Sequence, residues 1–177
     1  QAGFMVRDAQ HVELLNNTAD TTFSPGIGVW HTDGTDRITE HIKIIGNTVI
    51  HANTWAMLPK GYVRQGEPPH EAISIAGAHE FEVAYNHVYD CDKEGIDVKE
   101  TSAHGRVHHN YIHNVDRQGL YVDSWFGVLE DVELCDNIVH HCGGAGFALS
   151  VEDVEIVRNL NIHHNLLHEN GSGIYIS

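Results

Sequence analysis

The sequence predicts an all-β solenoid of about six stacked coils, and two repeats predict it. Six segments align on an asparagine: VELLNNTA, IKIIGNTV, FEVAYNHV, GRVHHNYI, VELCDNIV and LNIHHNLL, with anchors Asn17, Asn47, Asn86, Asn110, Asn137 and Asn165. A second set of short apolar strands follows them: GIGVW, AISIA, GIDVK, GLYVD, GFALS and GIYIS. The anchors are 30, 39, 24, 27 and 28 residues apart, one coil per interval.

Each element has a local reason. An aliphatic residue stands three before every anchor (Leu14, Ile44, Val83, Val107, Leu134, Ile162), and an apolar one stands two after it (Ala19, Val49, Val88, Ile112, Val139, Leu167). These positions face a core. The second strands alternate with period 2, so one face points in and the other out. Five of them follow a Gly, which tolerates positive φ and is expected to turn the corner between strands. The asparagines are expected to form an internal ladder, each amide bonded to its equivalent one coil away. The longest interval holds an insertion at residues 54–71 with Trp55 and Tyr62. It is expected either to border a groove or to cover a core edge.

A single domain covers 1–177. No run of 18 apolar residues exists to span a membrane. Gln1 opens the chain, so it is expected to be a mature segment or one excised from a larger protein. Ten Lys and Arg stand against 25 Asp and Glu, a formal charge of -15, which argues against nucleic acid as a partner. The three cysteines, Cys91, Cys135 and Cys142, are expected to be free. Register separates Cys91 from Cys142 by two coils, about 9–10 Å from strand spacing, beyond the reach of a disulfide.

Rungs of this length, with short strands and corners, resemble the right-handed parallel β-helix repeat of pectate lyases and related carbohydrate-active proteins. The resemblance covers nearly the whole chain. It implies a carbohydrate polymer or oligosaccharide as partner and a secreted or periplasmic, bacterial location. It does not select an activity, because many chemistries share the fold.

A solenoid turns register into neighbourhood, with equivalent positions about 4.8 Å apart. The first outward column of the second strands is Gly28, Ser74, Asp97, Tyr121, Ala148 and Tyr175, and the next is Trp30, Ala76, Lys99, Asp123, Ser150 and Ser177. Asp97 is thus expected beside Tyr121, and Lys99 beside Asp123. Glu100 follows Lys99, Glu152 comes one coil after Asp123, and Tyr121 and Trp125 add flat surface of the kind that stacks on sugar rings. This is the candidate site, with a solvated surface ion pair as the alternative reading.

Two mechanisms of β-helix enzymes fit those residues. A glycoside hydrolase needs two carboxyls flanking the bond: Asp123 as nucleophile or base and Glu152 as acid, their Cα atoms roughly 8 Å apart by strand geometry, with Asp97 as substitute. Lys99 would keep Asp123 ionised. A polysaccharide lyase would use Lys99 as base, Arg106 or Arg117 as helper, and Asp97, Glu100 or Asp123 to hold Ca²⁺. A carboxylate beside Lys99 disfavours its neutral form, so hydrolase ranks first. Tyr121, Trp125, Glu100 and Arg117 are the expected substrate contacts. A non-catalytic carbohydrate-binding or structural solenoid is the third reading.

The 16 histidines suggest a further column. His113, His140 and His168 either stack or bind a metal, and stacking is preferred. Neighbours such as His108 and His109 are expected to alternate faces and so not to share a site.

Overall fold

The computed structural model describes residues 2–31, 39–57, 70–151 and 156–177. After β1 (Phe4–Arg7), three strands recur per coil. They are β2 (Gln10–Leu15), β3 (Thr18–Asp20) and β4 (Ile27–Trp30), then β5 (Thr39–Ile45), β6 (Thr48–Ile50) and β7 (Ile73–Ala76). Next come β8 (Ala78–Ala84), β9 (His87–Cys91) and β10 (Ile96–Lys99), then β11 (Ala103–His108), β12 (Tyr111–Val115) and β13 (Leu120–Ser124). The last two coils are β14 (Val128–Cys135), β15 (Ile138–His140) and β16 (Ala145–Val151), and β17 (Ile156–His163), β18 (Leu166–His168) and β19 (Ser172–Ile176). Every third strand pairs in parallel with its equivalent, giving three sheets of seven, six and six strands. The chain is thus an all-β parallel solenoid of about six coils.

The core is what the alternation demands. Ile27, Ile73, Ile96, Leu120 and Phe147 form one buried column, and Ile44, Val83, Val107 and Leu134 another. Cys91, Cys135 and Cys142 are free and buried. Size is traded across rungs. The Phe81 ring occupies the space where a Cβ on Gly105 would stand. Gly105→Ala therefore overpacks the coil and costs about 1–3 kcal/mol of stability, read as a lower denaturant midpoint, while Val107→Ile is not held to that clash.

The asparagine ladder runs the length of the described coils. Each Nδ2 donates to the Oδ1 of the next anchor, from Asn17 through Asn165, at 2.9–3.1 Å. The same Nδ2 of Asn47, Asn86, Asn110, Asn137 and Asn165 also donates to a backbone carbonyl one coil back, at 2.8–3.0 Å. Buried backbone groups at the bend are satisfied in this way.

The corner glycines act differently from expectation. Gly26, Gly95, Gly119, Gly146 and Gly173 do not have positive φ. At Gly26, Gly95, Gly119 and Gly146 a Cβ would instead collide with packed neighbours, such as Val49 at Gly26 and Val139 at Gly119. Close approach of coils, not backbone freedom, requires glycine there.

Positive φ falls on three other columns in strict register. They are His11, His41, Glu80, His104, Asp131 and Asn159; Asn16, Gly46, Tyr85, His109, Asp136 and His164; and Thr21, His51, Asp90, Asn114, His141 and Glu169. His, Asn and Asp tolerate this left-handed conformation better than other side chains. Eight of the 16 histidines have positive φ, which accounts for much of the histidine content. The remaining expectation also holds: His113, His140 and His168 stack, with ring centroids 5.2 and 4.8 Å apart.

The expected alternation of adjacent histidines fails for the same backbone reason. His109 has φ 53°, which swings its side chain back beside its neighbour. His108 and His109 face each other through their Nδ1 atoms at 2.9 Å. The pairs His140–His141 and His163–His164 do the same, at 2.6 and 2.7 Å.

Candidate functional site

The middle of the seven-stranded sheet holds the predicted register. Asp97 lies opposite Tyr121 and Lys99 opposite Asp123, while Tyr121 and Asp123 face Ala148 and Ser150 on the other side. The strands place these side chains on the outer face, as alternation requires, but that face is covered. Asp97 and Ser74 are fully buried. This corrects the expectation of a solvated surface ion pair.

Glu71 provides much of the cover and was not singled out by the sequence. It stands just before β7, at the end of the insertion, and turns its carboxylate over the sheet. Its Oε2 accepts hydrogen bonds from Ser74 Oγ at 2.8 Å and Lys99 Nζ at 2.7 Å. Lys99 also pairs with Asp97 Oδ2 at 3.1 Å. The side chains are only 8% (Glu71), 12% (Lys99) and 0% (Asp97) exposed. One ammonium therefore serves two buried carboxyls, with Asp123 adding to the field.

The two carboxyls divide. Burial alone would raise the pKa of Glu71, but the charge and hydrogen bond of Lys99, helped by Ser74, bring it down to about 2. Asp97 moves the other way. Burial raises it most, Lys99 opposes, and the charges of Glu71 and Asp123 raise it further, leaving it well above the usual carboxylate range. Among the described residues, no donor makes a hydrogen bond to either Asp97 oxygen. Asp97 is therefore pushed toward its protonated form, and Glu71 toward its charged form. Lys99 is held charged: burial lowers its pKa, but Asp97, Glu71 and Asp123 more than reverse this.

The other predicted residues occupy three places. Trp125, 61% exposed, and the half-buried Tyr121 and Asp123 form the accessible rim. Glu100 is buried and accepts from the backbone N–H groups of Phe126 and Trp125, so it holds the Trp125 loop rather than presenting a free carboxylate. Arg117 donates to the buried Glu94 at 3.2 Å, beside the N-terminal end of β10, away from Asp123. Arg106, the other proposed helper, lies on a different sheet and pairs with Glu133. Glu152 lies outside the described residues, as do Tyr62 and residues 58–69 of the insertion. Trp55, also in the insertion, packs edge-on against buried Phe23 at 5.6 Å.

Asp97, Glu100 and Asp123 do not form a cluster of close ligand atoms of the kind found elsewhere among the described residues. Lys99 pairs with Asp97 and the Trp125 loop with Glu100, while both Asp97 oxygens and Glu100 Oε2 make no hydrogen bond among the described residues. Among the described residues, the metal-ligand cluster that forms lies elsewhere, at Glu133, Cys135 and His163. A groove of about 550 Å³ also lies elsewhere, lined by His11, Glu13, His41, Lys43, Glu80 and Phe81 among others. It touches none of the predicted site residues.

The stacked coils define a β-helix repeat protein. A family model described as the right-handed beta helix region matches residues 1–131, and the chain belongs to that family. No curated protein matches the chain.

Proposed function

We propose that this chain is a carbohydrate-active β-helix enzyme of the glycoside hydrolase type, working through the carboxyl of Asp123 on β13 and that of Glu152 one coil on. The observation that carries this reading is that Lys99 is committed to Glu71 and Asp97. A lysine held charged by two carboxyls lacks the free lone pair that β-elimination requires of its base. Carboxyl chemistry remains, and neighbouring buried carboxyls whose pKa values are pushed apart, as at Glu71 and Asp97 behind the site, are a pattern of acid–base sites.

In this reading Asp123 is the carboxylate that meets the substrate, as nucleophile or base, because it is only half-buried while Asp97 is fully buried. Glu152, one coil on, is the acid. Asp97, Glu71 and Lys99 lie behind Asp123 and fix the local charge. Tyr121 and Trp125 supply the surface for a sugar ring. The formal charge of -15 favours a neutral glycan over a uronate polymer. The resemblance to exported carbohydrate-active proteins supports a secreted or periplasmic location.

The test is a glycan panel read by mass spectrometry, with and without EDTA. Products that gain one water are expected, unaffected by EDTA. Asp123→Asn is expected to reduce turnover roughly a hundredfold or more with an unchanged circular dichroism spectrum. Unsaturated, ultraviolet-absorbing products that disappear with EDTA would replace this reading with a calcium lyase. Glycan affinity without any product would replace it with a binding solenoid.

A further inference from the structure

The sheet on the opposite flank gathers a second set of chemically active side chains. Cys135 ends β14 and lies in register with His163 of β17. Glu133 is two residues earlier on the same face. The carboxylate of Glu133, the thiol of Cys135 and the imidazole of His163 lie within 4.8 Å of one another. The left-handed residues that follow these strands bring in a second imidazole and a second carboxylate. His164 Nδ1 is 2.7 Å from His163 Nδ1, and Asp136 interacts with Cys135, His163 and His164. Sulfur, nitrogen and oxygen donors thus converge from two adjacent coils.

We propose that Glu133, Cys135 and His163 form a binding site for a zinc-like transition-metal ion, with Arg106 as its gate. A thiolate with an imidazole and a carboxylate suits a borderline ion such as Zn²⁺, whose sites are built from these donors. Calcium and magnesium prefer all-oxygen shells. The site is unlike the surface pairs elsewhere on this sheet, such as Lys43–Glu13 at 3.0 Å, because it contains a buried cysteine.

Arg106 stands where the ion would sit. Its Nε donates to Glu133, and its Nη2 lies 3.5 Å from Cys135 Sγ. The guanidinium supplies the positive charge that these donors attract. Its side chain is 49% exposed, so it can swing into solvent and uncover the thiol. Metal binding then releases the thiol proton, forms the sulfur–metal bond, and exchanges one cation for another. His163 is oriented for this role. Its ring joins Glu133 Oε1 through Nε2 at 2.9 Å and His164 through Nδ1, so a carboxylate and a second imidazole bracket it as ligand and outer partner do in metal sites.

The experiment is titration of the intact protein with Co²⁺ and Zn²⁺ alone, under reducing conditions. Binding of one equivalent of Co²⁺ with a thiolate-to-cobalt charge-transfer band is expected. Zn²⁺ should bleach that band by displacement. Cys91 and Cys142 belong to the hydrophobic core cluster and Cys135 does not, so the band reports Cys135. Cys135→Ala is expected to abolish the band, and His163→Ala to weaken binding about a hundredfold. Arg106→Gln is expected to tighten it about tenfold, which a merely structural arginine would not do. His140→Ala, in the histidine stack, is expected to leave the band unchanged. Cobalt binding without the band, or a band that survives Cys135→Ala, would overturn the proposal, as would weaker binding in Arg106→Gln. Circular dichroism of each variant separates lost binding from lost fold. If Cys135→Ala does not fold, the band in His163→Ala and Arg106→Gln decides.

Discussion

Asn110→Ala is expected to lower stability by about 3–5 kcal/mol, a large fraction of what holds a domain of this size. The side chain is buried and makes four bonds. Its Oδ1 accepts from Asn86 N–H at 3.0 Å and Asn86 Nδ2 at 2.9 Å, and its Nδ2 donates to Val83 O at 2.9 Å and Asn137 Oδ1 at 3.0 Å. Alanine removes partners from Asn86 and Val83 in the coil before and Asn137 in the coil after, without water to replace them. Each buried group left unsatisfied costs about 1–3 kcal/mol. Because solenoid stability is a sum over coil interfaces, the damage falls in the middle of the stack. Equilibrium denaturation by circular dichroism should show an earlier midpoint and a broadened transition. The half-buried Asn165 on the last coil is expected to matter less. An unchanged midpoint for Asn110→Ala would remove the ladder from the account of stability.

Lys99→Met is the second large effect, expected at about 3–5 kcal/mol near neutral pH, because breaking a buried ion pair from one side strands the other charge. Here it strands Glu71 beside Asp97. The pH dependence gives the test its sign. Glu71 has a depressed pKa of about 2 when folded, so it stabilises the parent above the normal carboxylate range, and that contribution is lost as pH falls toward 2. Asp97 has a raised pKa, so its contribution is present in acid and lost as pH rises through its folded value. Without Lys99 both carboxyls have raised pKa values, and both favour the folded state only in acid. The difference in melting temperature between parent and Lys99→Met should therefore be large at pH 8 and shrink toward pH 4. A difference independent of pH would mean that the lysine contributes packing rather than charge.

The fold was legible because a solenoid writes its register into the sequence. Aligning six asparagines is enough to pair Asp97 with Tyr121 and Lys99 with Asp123. Less legible was what covered the outer face. Glu71 stands just before β7, outside the columns aligned from the sequence, and only the folded chain shows it above Ser74 and Lys99. The depth of Asp97 followed from that, so a residue assigned to the surface proved to be in the interior. The convergence of adjacent histidines was hidden for a different reason. Period-2 alternation holds only for extended backbone, and His109 and His164 have left-handed φ. A histidine, asparagine or aspartate at the same position in successive repeats was the available signal. The glycines misled in the opposite direction, because glycine marks tight packing as readily as it marks a turn.

The three left-handed columns also divide the chain into what keeps count and what can drift. From His11 to Thr21, and again from His41 to His51, Glu80 to Asp90, His104 to Asn114, Asp131 to His141 and Asn159 to Glu169, the first, second and third bends keep identical separations. All the variation in repeat length therefore falls between one such eleven-residue block and the next. The insertion ending at Glu71, the Trp125 loop and the segment containing Glu152 all lie in these elastic spans. Novelty can enter the protein there without shifting a single rung, while each block resets the register before the next coil begins. Architecture and invention are thus written in alternating stretches of the same chain.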